Sequence, residues 1–128
     1  MFRRIASIVV LVGACVVVGV TPAAAAPVPV LQNCSYGASQ VRPSRVTLLC
    51  GDGGAWVQDI DWLSWGSAGA LGTGVLWTNV CRPNCASGNY TQEPATIRLG
   101  GLTGDRFTTA TVTGAHATST IGSSFRVG

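Results

Sequence analysis

Lysine is missing altogether from the 128 residues, and only 10% of them are charged. Arg3 and Arg4 belong to an N-terminal leader; beyond it, six arginines stand against five carboxylates, a net charge of +1. A surface with so little positive charge has no electrostatic footprint for a phosphate backbone, which excludes nucleic acid as the partner. His116 is the only histidine, and no G-x-S-x-G accompanies it. A Ser-His-Asp hydrolase would need both a framed histidine and a nucleophile elbow, so His116 in TGAHATST reads as a surface residue. No window carries apolar residues sustained at i, i+3, i+4 and i+7, which excludes amphipathic helices. Without a strand-to-helix setting, Gly51, Gly53, Gly54 and the glycines of 66–74 are turn punctuation rather than a phosphate loop, and no cofactor is expected.

The chain does hold a basic start, an apolar run from Ile5 to Val20 and the small-residue stretch TPAAAAP. That order is the pattern of a secretory signal peptide, and cleavage before Ala26 leaves residues 26–128 as one exported domain. Leu11 to Cys15 (LVGAC) also satisfies a permissive lipobox. Processing there would anchor the protein through Cys15, but it would leave the apolar VVVGV where a polar tether is usual. No membrane span is expected in the mature form.

Cys34, Cys50, Cys81 and Cys85 remain after either cut, an even number in a small exported domain, which reads as two disulfides. In CRPNC, Pro83 and Asn84 suit the central positions of a turn that folds Cys81 back on Cys85. The loop is thus a staple, with Cys34 and Cys50 as the companion pair. A zinc site would have to recruit His116 or break that second pair, and C-x-x-x-C is not the redox spacing, so neither metal nor thiol chemistry is expected.

Between the turns lie short β-rich runs: RVTLLC (45–50), AWVQDIDWLSW (55–65), VLWTNV (75–80), ATIRL (95–99) and FTTATVT (107–113); the tail from Gly114 is small and polar until Phe125 and Val127 and reads either as a last edge strand or as a loose segment. The run GSAGALGTG (66–74) reads as a glycine-rich connector. Strands at this spacing predict an all-β fold, a small antiparallel sandwich or barrel. A domain of about 100 residues buries only roughly two thirds of its unfolded surface, and the disulfides would supply what the core lacks, about 3 kcal/mol for the longer loop.

Three groups of residues are candidates for function. Asp59 and Asp61 alternate onto one strand face and are the only carboxylate pair placed to cleave a glycoside, although neighbouring carboxylates on a wet face are ordinary. Four tryptophans, Trp56, Trp62, Trp65 and Trp77, serve either as core or as a stacking platform. On strict period two, Trp56, Ile60 and Trp62 share one face and Trp65 takes the other, which puts one of Trp62 and Trp65 outside; neither face is cleanly apolar, so a bulge or a change of exposure is expected to interrupt the strand. Arg82, in the stapled loop, would suit a trypsin-like pocket.

Arg42-Pro43, the turn Cys50 to Gly53, the element Trp62 to Gly66 and the loop Cys81 to Gly88 together resemble a family of small exported actinobacterial proteins. That family carries a C-x-D-G turn, a W-x-x-W-G element and a C-x-P-x-C-A-x-G loop. The resemblance spans about residues 34 to 113; it implies export and brings no activity or site with it. The sequence therefore leads to a non-enzymatic, secreted binding module of the envelope or medium, taking a protein or a cell-wall or extracellular glycan, with Trp62, Trp65 and Arg82 as its surface. A peptidase inhibitor presenting the Cys81–Cys85 loop is the alternative, and a hydrolase using Asp59 and Asp61 ranks last.

Overall fold

Alternation of apolar and polar residues between tight turns produces strands, and strands joined in sequence by short turns pair with their neighbours. The computed structural model describes residues 13–34, 37–114 and the backbone of 123–126. Its strands are β1 (Leu31–Gln32), β2 (Ser39–Gln40), β3 (Arg45–Thr47), β4 (Ala55–Gly66), β5 (Gly69–Asn79), β6 (Tyr90–Gly100), β7 (Thr109–Gly114) and β8 (Ser123–Arg126). Strands β3 to β8 form one antiparallel sheet in sequence order, and β1 and β2 form a second, two-stranded one. The protein is all-β, as the turn spacing predicts. Among the described residues the large sheet does not close into a barrel, since β3 and β8 stand at its two edges.

One face of the large sheet is the core. Val46 on β3, Ala55, Val57 and Ile60 on β4, Ala70 and Leu76 on β5, Ala95, Ile97 and Leu99 on β6, and Ala110 and Val112 on β7 are all buried there. The N-terminal segment straps across this face. Leu31 is fully buried in the same cluster, and Val30 exchanges backbone hydrogen bonds with Asp105 and Phe107 in the β6–β7 turn, at 2.8 and 3.0 Å. Disulfides join Cys34 to Cys50 and Cys81 to Cys85. The first ties the strap to the β3–β4 turn, and the second closes the loop between β5 and β6.

Two expectations need correcting. The first is the connector at 66–74, of which Gly69 to Gly74 belongs to β5. The second is the placing of Trp62 and Trp65 on opposite faces by strict period two: the interruption expected in this strand takes the form of two β-bulges. Gln58 faces Val75 but Asp61 faces Thr73, and Trp62 faces Gly72 but Ser64 faces Leu71, so β4 gains one residue at each place. Asp59 sits in the first bulge with φ 54°, a left-handed conformation that Asp adopts more readily than most residues. Each bulge shifts the alternation by one. The inward residues are therefore Ala55 and Val57, then Ile60 and Trp62, then Trp65.

The glycines of β5 answer this crowding. A Cβ on Gly74 would lie 2.7 Å from the Gln58 carbonyl oxygen, and one on Gly72 would lie 2.8 Å from Ile60 Cγ2 and 2.9 Å from Trp62 Cε3. The run reads as a loop by composition because the bulged partner strand leaves no room for side chains on its inner side.

Residues 13–28 are exposed and without secondary structure, and Cys15 is free. No helix among the described residues is long and apolar enough to cross a membrane. Arg3, Arg4 and the start of the apolar run, Ser35 and His116 lie outside the described residues, as does most of the tail beyond Gly114.

Candidate functional site

The bulges decide where the tryptophans go. Trp62 and Trp65 both turn inward, half-buried against the core, with ring centroids 4.8 Å apart and planes at 84°. Trp65 also meets Phe107 edge to face at 5.3 Å. Each indole N–H is satisfied by the carbonyl of a buried proline, Trp62 Nε1 donating to Pro43 at 2.8 Å and Trp65 Nε1 to Pro29 at 2.7 Å. Trp62 and Trp65 are thus joists between the sheet and the segments that cover it. Only an edge of Trp65 reaches solvent, in a hollow of about 470 Å³ beside the β4–β5 turn.

The other two tryptophans face outward. Trp56 on β4 and Trp77 on β5 are directly opposite each other in the register, and their rings stack at 5.5 Å with planes 11° apart. Tyr90, at the start of β6, meets Trp56 edge-on at 5.0 Å and Trp77 at 6.2 Å. Arg45 on β3 lays its guanidinium over the Trp56 ring, 4.4 Å from the centroid. Trp56 Nε1 donates to Gln58 Oε1 at 2.9 Å, whereas Trp77 Nε1 is buried with no acceptor among the described residues. Tyr90 is 40% exposed, and both indoles are partly buried, like those of Trp62 and Trp65.

This row spans four strands, β3 to β6, on the face opposite the core, where no described element lies over it. Period two carries the same face onward along the strands. Next to Trp56 and Trp77 come Gln58, Val75 and Pro94, and then Asp61, Thr73, Thr96 and Thr113 in register across β4 to β7. That second stretch is hollowed into a trough of about 460 Å³, in which Asp59 and Asp61 are the only charged lining residues among those described. Both carboxylates are exposed. Among the described residues no group of three or more metal-binding side chains converges.

Arg82 projects from the stapled loop, exposed. The loop itself is well tied. Asn89 Nδ2 donates to the Arg82 carbonyl, Asn79 Nδ2 donates to the Cys85 carbonyl at 2.8 Å, and the Cys81 amide donates to Asn79 Oδ1 at 2.9 Å. Asn84 caps a single 3-10 turn, Cys85–Ser87, by accepting from the Ser87 amide at 3.0 Å. The structure does not bring Arg82 together with Trp62 and Trp65: it lies beyond the Asn79 end of β5, while Trp65 pairs with Ala70 at the other. It lies instead on the side of Tyr90, which pairs with Asn79.

No family model, curated protein or solved structure matches the chain. The functional reading therefore rests on geometry alone. What the sequence misses is the outer row of Trp56, Trp77, Tyr90 and Arg45. Its signal is present, because Trp56 and Trp77 have opposite parity to the apolar neighbours Val57 and Leu76, but seeing it as a row requires the β4–β5 register.

Proposed function

We propose that the protein is an exported, non-enzymatic binding module that takes its partner on the outer face of the sheet. The observation that carries this reading is the row of three aromatic rings, with Arg45, on a face that no described element covers. Aromatic residues concentrated on an open surface are the commonest anchors of binding sites.

Export is supported by the two disulfides, which persist in oxidising compartments. It is also supported by where burial begins. Residues 13–28 are exposed and without secondary structure, and Pro29 is the first buried residue of the described segment, accepting from Trp65 Nε1, so cleavage before Ala26 would leave that contact in the mature domain. The free, exposed Cys15 leaves lipid anchoring as the alternative route to the envelope. The actinobacterial likeness of the W-x-x-W-G and cysteine-loop motifs belongs to the same reading.

The two rival functions have weaker support. A glycosidase needs one carboxyl kept protonated by an apolar pocket beside one kept ionised, and Asp59 and Asp61 are both open to water. A substrate-like inhibitor must offer its anchor's carbonyl oxygen to the protease oxyanion hole, and that oxygen of Arg82 is already held by Asn89.

The test is retention of the purified domain on the envelope fraction and concentrated culture medium of its host. The wild type should be retained, and the double variant W56A/W77A should elute unbound while keeping a cooperative thermal transition. Equal retention of the two proteins would remove the outer face from the account.

A further inference from the structure

We infer that the occupant of the outer face is a neutral, hydroxyl-rich polysaccharide chain, a reading that rests on the outer-face proposal above. Three properties of the surface select that chemistry.

The first is the aromatic row. The C–H bonds of a pyranose ring are weakly positive and lie on a flat apolar face, which suits the negative faces of Trp77 and Tyr90 at the end of the row that Arg45 does not cover. The second is the hydrogen-bonding inventory of the trough. Thr73, Thr96 and Thr113 each present a hydroxyl that both donates and accepts, and ionised Asp59 and Asp61 only accept. A ligand matching that set must bring many donors on a regular spacing, as the hydroxyls of a sugar chain do. The third is charge. Among the described residues Asp59 and Asp61 are the only charged ones lining the trough, so an anionic polymer would meet their repulsion there.

Shape agrees with a chain rather than a compact ligand. From Trp77 to Thr73 the face runs four residues along β5, roughly 13 Å, with Val75 and Pro94 as an apolar floor between. A sugar chain lying along β5 would stack at the Trp77 end and hydrogen-bond at the Asp61 end. A protein partner would instead need a deep apolar pocket for its anchor side chains, and the trough is floored by Gly74, Val75 and Ala95 with no large side chain to wall one.

Affinity electrophoresis tests this directly. The domain is run through native gels containing hydroxyethyl cellulose, dextran or laminarin as neutral polymers, and alginate as the anionic one. Expected is retardation by at least one neutral polymer, unchanged when salt is raised, and none by alginate. Trp77→Ala should weaken the retardation roughly tenfold and Asp61→Ala roughly threefold, each referred to that variant's own mobility in a polymer-free gel, since a change of charge alone shifts migration. Arg82→Ala, referred in the same way to its own polymer-free mobility, should be retarded as much as the wild type. Retardation by alginate alone, or salt-sensitive binding, overturns the inference. Tryptophan-dependent retention on the envelope fraction without retardation by any neutral polymer also overturns it, while leaving the outer face as a binding surface for a protein.

Discussion

Trp62 and Trp65 hold the sheet to its cover through one hydrogen bond each, and that double role separates into two measurable costs. Trp65→Phe keeps most of the ring contact with Phe107 and loses the bond to Pro29, and it should cost about 1 kcal/mol in urea unfolding. Trp65→Ala also loses the ring and should cost about 3 kcal/mol. Equal losses for the two variants would mean that the ring contributes nothing beyond its N–H. A second residue worked on both sides is Asn33. Its amide accepts from the Thr47 N–H at 2.7 Å and donates to the Thr47 carbonyl at 2.9 Å, standing in for a neighbouring strand at the open edge of β3. Asn33→Ala strands both groups and should lower stability by about 1–2 kcal/mol.

At the scale of the strand, β4 and β5 act as one unit in which bulges and glycines are complementary. Gly74→Ala would push a methyl group against the Gln58 carbonyl, a backbone atom that cannot rotate away, and should destabilise by about 1–3 kcal/mol. Gly66→Ala has open space around it and should stay within about 0.5 kcal/mol of the wild type. Chemical denaturation of both variants checks the contrast, and a tolerant Gly74 would mean that the bulge relaxes freely. The same pair of strands marks how far the sequence could be read. The strand at Ala55 and the staple at Cys81 and Cys85 follow from local chemistry, alternation in one case and turn residues in the other. The faces of Trp62 and Trp65 do not: residues 55–65 announce an interruption, since neither face is cleanly apolar, but a bulge is a property of two strands in register, and where it falls is not written in one of them. For the same reason Gly69 to Gly74 resembles a linker until its partner is known. The outer face was the least legible for this reason: Trp62 and Trp65, which period two sends to opposite sides, both turn inward, while Trp56, Trp77 and Tyr90 meet outside only through the register.

For the whole molecule, the two disulfides should differ in weight. Cys34 and Cys50 are 16 apart in sequence, and Cys81 and Cys85 only 4. Loop-closure entropy assigns the former about 3 kcal/mol and the latter about 2. Replacing Cys34 and Cys50 together by Ser should lower Tm by roughly 15 °C, and the same change at Cys81 and Cys85 should lower it less. Calorimetry under identical conditions ranks them; the reverse order would show that the short loop organises more than itself, through its contacts with Asn79 and Asn89. Another large-scale consequence lies in the strap. Strands β3 to β7 pair only with sequence neighbours, so each hairpin can close as soon as it has been synthesised. The strap cannot. Val30 must wait for Asp105 and Phe107, and Gln32 for Arg106, some 74 residues later. A chain made from its N-terminus therefore leaves Leu31 uncovered until the β6–β7 turn has been made, and the sulfur of Cys34 free until Cys50 arrives. Any factor that oxidises thiols or shields apolar segments in a nascent chain would find its opportunity there.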